Sequence, residues 1–246
     1  MKKLMLIMLI AAGCAPVYVP NARNSPLFTE AGEFQGSIGI GNGLDIQGAA
    51  SITNHIGIMA NYSYESRNSN DYYLSTNPNN DNDEYHYHRF FEGGVGYFEN
   101  QGKWCYEVFA GYGKGEGANY DSYQWNSGQS AIATGKFDRY FIQPAFGMNK
   151  KMFHISFIPR LSIVDFKEFS DDVTTYKISG NPIVFFEPAV SGRVNLMQNH
   201  FFFGFQLGTS VPISSGVFYE LRYVQFSTGI GFRFGGAKKE PTEVAN

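Results

Sequence analysis

Val224-Gln225-Phe226-Ser227-Thr228-Gly229-Ile230-Gly231-Phe232-Arg233-Phe234 decides the fold. Successive side chains of a strand point to opposite faces. Val224, Phe226, Thr228, Ile230, Phe232 and Phe234 therefore share one face, and Gln225, Ser227, Gly229, Gly231 and Arg233 share the other. One face is oily and the other wet. The split recurs in Phe201, Phe203, Phe205, Leu207, Thr209 and Val211 against Phe202, Gly204, Gln206, Gly208 and Ser210. It recurs again in Val184, Phe186, Val190 and Val194 against Glu187, Ala189, Ser191, Arg193 and Asn195. Several of these runs reach the roughly 9–11 residues that a tilted strand needs to cross a bilayer.

Working outward from these runs, ten segments alternate in this way between clusters of Gly, Asn, Asp and Ser. They are Gly32–Ile40, Leu44–Thr53, Ile56–Arg67, His86–Phe98, Trp104–Lys114, Asp138–Asn149, Met152–Phe166, Pro182–Asn195, His200–Val211 and Tyr219–Phe234. None reads as a long amphipathic helix, and no linker divides the chain. The pattern predicts an all-β fold: a transmembrane antiparallel up-and-down β-barrel of about ten strands, with eight as the alternative because the first two segments are weak and glycine-rich. Composition agrees. Of 246 residues, 17% are charged and 17% aromatic, against a usual charged share of about 25%. Mean hydropathy is only -0.25, so a membrane protein of this kind crosses without long apolar runs. The net charge of -3 offers no basic field for nucleic acid.

Met1-Lys2-Lys3 followed by Leu4-Met5-Leu6-Ile7-Met8-Leu9-Ile10 is a charged and then apolar export signal, too short to span a bilayer. It ends in Ala11-Ala12-Gly13-Cys14, which resembles the bacterial lipobox, where small residues precede a cysteine that becomes lipid-linked. The expected division is a lipoprotein signal peptide at 1–13, a periplasmic N-terminal segment with its lipid anchor at Cys14 over 14–31, an outer-membrane β-barrel at 32–234 and a periplasmic tail at 235–246. Cys105 then remains as the other cysteine, so no intramolecular disulfide is expected. The lipid's acyl chains, at about 0.8 kcal/mol per buried methylene, would hold the N-terminus firmly. Ala15 in place of an aspartate, with no acidic run after it, resembles the sorting pattern for the outer membrane and its periplasmic leaflet.

Outer-membrane barrels pair short periplasmic turns with longer external loops. If the lipid is periplasmic, strand one runs outward and every second connection should be tight. Asn54-His55, Glu99 to Lys103, Lys150-Lys151 and Leu196 to Asn199 satisfy that. Asn68 to Tyr85, Gly115 to Phe137, Lys167 to Asn181 and Pro212 to Phe218 alternate with them as longer connections, and Gly41 to Gly43 is the short exception. Both termini are then expected in the periplasm.

The lipobox, Pro16-Val17-Tyr18-Val19-Pro20-Asn21, Pro26-Leu27-Phe28, Gly32-Glu33-Phe34 and ten barrel segments together resemble the small lipid-anchored outer-membrane β-barrel proteins common in Bacteroidota. The resemblance spans the mature chain and implies architecture and location, not a reaction.

The wet faces carry Glu92, Glu107, Arg139, Arg160, Glu187, Arg193 and Arg233 in mid-strand. A charge facing lipid costs about 2–4 kcal/mol near the midplane, so all seven should point into the lumen. A narrow barrel can be filled by side chains, and arginine forks match carboxylates. An internal ion-pair network acting as a plug is expected, with a narrow polar conduit as the functional alternative. His154 and Ser156 share a strand face, a spacing that suits a base and a nucleophile. The triplet loosely resembles the His-x-Ser element of outer-membrane lipid A deacylases. The following Phe157-Ile158-Pro159 does not continue that family's polar pattern, and the triplet lies near the turn at Lys150-Lys151, away from the external leaflet.

His86 and His88 share a face at i, i+2, but two histidines with no third ligand nearby in sequence leave no metal expected. Asn79-Asn80-Asp81-Asn82-Asp83-Glu84 is oxygen-rich yet lacks EF-hand spacing. The glycines Gly36, Gly39, Gly94, Gly96, Gly111 and Gly113 fit no phosphate loop. No cofactor is expected.

The leading expectation is a non-enzymatic outer-membrane lipoprotein, a structural or accessory subunit of an envelope complex, with outer-membrane lipid and other outer-membrane or periplasmic proteins as partners. The alternatives are a narrow channel for small polar solutes and a lipid A deacylase-type hydrolase using His154 and Ser156. A soluble lipocalin-type barrel would need its apolar face inside and an early Gly-x-Trp, which neither Trp104 nor Trp125 provides.

Overall fold

The computed structural model describes residues 17–68, 85–121, 131–150, 152–170, 175–177, 180, 182–196, 200–214 and 221–235. The signal segment, Cys14, the acidic loop at 79–84 and the tail beyond Gly235 lie outside the described residues. Its strands are β1 Phe34–Ile40, β2 Leu44–Ser51, β3 Ile56–Asn68, β4 Tyr85–Gln101, β5 Trp104–Asp121, β6 Ala131–Asn149, β7 Phe153–Ser170, β8 Thr175–Lys177, β9 Ile183–Leu196, β10 Phe201–Thr209, β11 Val211–Pro212 and β12 Val224–Phe234.

Each long strand pairs antiparallel with its neighbour, β12 pairs with β1, and β7 pairs with β9. The sheet is thereby closed. Ten strands form the wall, while β8 and β11 are short extensions on β7 and β9. Closure leaves the wall without a free sheet edge, so its ladder groups pair within it, apart from a break between Ile142↔Leu161 and Phe146↔Phe157, where Pro144 and Pro159 lack an N–H. The weak first two segments are strands in this barrel, which settles ten strands over eight.

The outward positions are apolar. Ile38, Phe91, Val95, Phe146, Leu207, Phe226 and Ile230 are all exposed. This inverts the packing of a soluble barrel, and so extensive an apolar exterior suits lipid contact. Along β5 the outward side chains run Trp104, Tyr106, Val108, Ala110 and Tyr112 before turning to Lys114 and Glu116. From Trp104 to Tyr112, at about 3.3 Å per residue and about 40° of tilt, the band is roughly 20 Å tall, close to that of a membrane barrel.

β4 to β7 are longer than the alternation predicted. Beyond Lys114 the ladder continues through Glu116↔Lys136 and Arg89↔Glu116. There the outward side chains become charged and pair across strands, as in Arg89–Glu116 at 2.9 Å and Lys136–Glu168 at 3.0 Å. The hydrophobic period falls silent while backbone pairing goes on, which is why the sequence reading stopped short.

The interior departs most from expectation. Residues 17–28, read as part of a periplasmic segment, are all buried inside the barrel. Val17 and Tyr18 pack with Phe90, Phe137, Phe166, Phe185 and Leu221 near the long connections. Phe28 packs with Met59, Phe98 and Phe109 near the short turns. The chain therefore descends the lumen from the long-connection rim to the short-turn rim, then turns at Gly32 (φ 78°) into β1.

Candidate functional site

The site is the filled lumen. Val17 to Phe28 forms no helix and joins no ladder apart from one bridge, Tyr18 to Leu221. Its buried backbone groups must find partners elsewhere. The wall provides them in sequence. Gln47 Nε2 donates to Ala22 O at 2.8 Å, Gln206 Nε2 to Arg23 O at 2.8 Å, Gln143 Nε2 to Asn24 O at 2.7 Å and Arg193 Nη2 to Ser25 O at 2.6 Å. Gln35 Nε2 donates to Pro26 O at 2.8 Å, Asn149 Nδ2 to Leu27 O at 3.1 Å and Cys105 Sγ to Phe28 O at 3.2 Å. Successive carbonyls from Ala22 to Phe28 thus each accept from a different wall side chain. Two amides are held as well: Arg23 N donates to Gln206 Oε1 at 2.7 Å and Leu27 N to Glu107 Oε2 at 2.9 Å. Gln206 grips both sides of one residue, as a neighbouring strand would.

The expected ion-pair residues all face inward, but they split into three groups. Glu92, Arg139 and Arg160 form the central cluster, with Arg139 Nη2 at 2.5 Å and Arg160 Nη2 at 3.4 Å from the Glu92 carboxylate, all fully buried. Glu92 and Arg139 both lie opposite Gly113 in their ladders, one strand away on either side. A Cβ on Gly113 would come within 2.7 Å of the Glu92 Cβ, so glycine leaves the path between the two charges open. Asn21 joins the cluster through its amide: Nδ2 donates to Glu92 Oε1 at 2.9 Å, and its Oδ1 accepts from Arg139 at 2.6 Å. Glu187 enters indirectly, accepting from Tyr18 at 2.9 Å and Ser162 at 2.6 Å, while Tyr18 accepts from Arg139 at 3.1 Å.

The second group serves the lumen segment. Glu107 accepts from Ser25 Oγ and Leu27 N, and Arg193 donates to Ser25 O and to Gln35 Oε1. The third is a rim pair, Arg233 with Glu33. A single wall-to-wall network was expected; the observed arrangement runs through the N-terminal segment instead, because that segment occupies the axis where the charges would otherwise meet.

His154 and Ser156 also face inward. His154 Nε2 lies 3.0 Å from Asn195 Nδ2, and Ser156 sits across the ladders from Gly147 and Ser191. The Asn195 side-chain amide thus occupies His154 Nε2. A cavity of about 60 Å³ remains between the lumen segment and β1, β2, β9, β10 and β12, lined by Arg23, Asp45, Gln47, Arg193 and Gln206 among others. It has room for a few water molecules.

Sequence reasoning missed the lumen segment and the amides that hold it. Gln35, Gln47, Gln143 and Gln206 all fall on wet faces, and their recurrence was the available signal. It also missed a convergence near the long-connection rim: His86 and His88 on β4 meet Glu65 on β3.

No family model matches the chain, and no curated protein does. Among solved structures, the translocator domain of the autotransporter NalP from Neisseria meningitidis is similar at a TM-score of 0.45 and 9% identity, over 82% of this chain and 87% of that one.

Proposed function

We propose that the chain is an outer-membrane lipoprotein barrel closed by its own N-terminal segment, and that it serves as a non-enzymatic structural or accessory subunit of the cell envelope. The observation that carries this reading is the unbroken run of carbonyls from Ala22 to Phe28 held by the wall. A lumen built around a fixed strap disfavours a solute path. It leaves the outer wall, the rims and the loops as the surfaces for partners. His154 Nε2 is turned to Asn195 and not to the Ser156 hydroxyl, which likewise disfavours a hydrolase, since a general base must reach the proton it abstracts. The apolar band supports residence in a membrane, and the lipobox and the resemblance to lipid-anchored barrels of Bacteroidota support the outer membrane.

The strap bears on the leaflet. The described chain starts at Val17 near the long-connection rim and reaches Gly235 at the opposite rim, which supports termini on opposite sides of the membrane over both in the periplasm. Three residues of chain span at most about 11 Å, so a lipid on Cys14 belongs to the long-connection side. Since longer loops are external in such barrels, the anchor enters the external leaflet. Epitopes placed before Val17 and after Gly235, probed on intact cells, test this: the first should be reached and the second protected, and the reverse pattern would overturn it. Affinity purification in mild detergent tests the accessory role. A stoichiometric partner is expected, and a clean monomer across several detergents counts against it. Ser156→Ala should leave the cell's lipid A unchanged, and an altered acylation pattern would revive the enzyme reading.

A further inference from the structure

We infer that Glu65, His86 and His88 form a binding site for a divalent cation of the zinc class on the luminal face of β3 and β4. Glu65 lies directly across the ladder from His88, and His86 is two residues further on the same face of β4. Their ligand atoms all lie within 4.8 Å of one another, and all three residues are buried or nearly so. His86 Nε2 and His88 Nδ1 each stand 3.3 Å from Glu65 Oε2. That separation is long for a charge-assisted hydrogen bond. It matches the edge of a tetrahedron, because two ligands each about 2.0–2.1 Å from an ion lie about 3.3–3.4 Å apart.

The second observation is a partner behind the ligand. Ser63 Oγ lies 3.1 Å from His88 Nε2, so the far nitrogen of the ring is engaged while Nδ1 faces the Glu65 oxygen. With an ion on Nδ1, Nε2 carries the proton and donates to Ser63, and such outer-shell contacts orient a metal-bound imidazole.

Two imidazoles and one carboxylate suit zinc and its first-row neighbours, with a fourth position left for water. The competing cation is Arg222, whose Nη1 is 3.8 Å from the same Glu65 oxygen. With the ion bound to Oε2, the second carboxylate oxygen remains for the guanidinium. Arg222 N also donates to Tyr18 O at 3.1 Å. The site thus sits beside the point where the strap enters the barrel, and ion binding there would fasten that end.

The test uses the untagged full chain in detergent, stripped with chelator and titrated with Zn²⁺ by calorimetry. One ion per chain with micromolar or tighter affinity is expected. Glu65→Gln and His88→Ala should each weaken binding by at least about tenfold, and Ser63→Ala by about tenfold as an outer-shell change. Heat-dependent gel migration verifies that each variant is folded. Should a ligand variant fail to fold, X-ray absorption on the zinc-loaded wild type decides instead, with two imidazole nitrogens expected in the coordination shell. No saturable binding by the wild type, binding undiminished in His86→Ala/His88→Ala, or a shell without imidazole would each overturn the site.

Discussion

Replacing Glu92 with alanine removes the one carboxylate between Arg139 and Arg160, all three fully buried. Glu187, which reaches Arg139 only through Tyr18, is then the carboxylate left to offset two guanidiniums held in one water-poor space. Breaking a buried pair by removing one partner costs about 3–5 kcal/mol, which lowers the ratio of folded to unfolded barrel by about 100- to 4,000-fold. The loss also reaches the strap, because Asn21 Nδ2 and Asn61 Nδ2 both donate to Glu92 Oε1, at 2.9 and 2.8 Å. Glu116→Ala is the control. It breaks the partly exposed Arg89–Glu116 pair outside the apolar band, worth at most about 1 kcal/mol. Urea unfolding of the refolded barrel in lipid vesicles, followed by tryptophan fluorescence and gel migration, measures both. In Glu92→Ala/Arg139→Met one of the stranded charges is gone, and part of the stability should return. If Glu92→Ala costs no more than Glu116→Ala, the buried cluster does not hold the lumen together and the reasoning fails.

Two further outcomes follow from the strap. Cys105 is fully buried, with its thiol on Phe28 O, so a maleimide should label it only after unfolding or displacement of the strap; rapid labelling of the folded barrel would show an open lumen. A Cβ on Gly117 would come 2.2 Å from Val17 O. Gly117→Val should then unseat the upper strap at a cost of about 1–3 kcal/mol, read as new protease cleavage ahead of Ala22 with the wall still intact.

The wall was legible because lipid on one side and a wet lumen on the other impose a period of two on every strand. Phe201 to Val211 and Val224 to Phe234 carry that period without interruption. Where the outside became water, as at Lys114, Glu116 and Lys136, the period vanished although the strands continued. Inward charges were legible for the same reason: Glu92 and Arg139 have no tolerable place outside. Their partners were not. Val17 to Phe28 has no period of its own, because its surroundings are a ring of strands rather than two faces. Its polar groups are satisfied by glutamines spread from Gln35 to Gln206, a correspondence that only the closed barrel brings together. Glu65 escaped notice similarly, since it meets His88 across a ladder and is distant from it along the chain.

The claim that the N-terminal segment closes the lumen is tested most directly by recording from the intact, refolded barrel in a planar bilayer. The account predicts no conductance above background, with steady ohmic steps appearing once residues 17–28 are deleted. Steady conductance by the intact chain would contradict it.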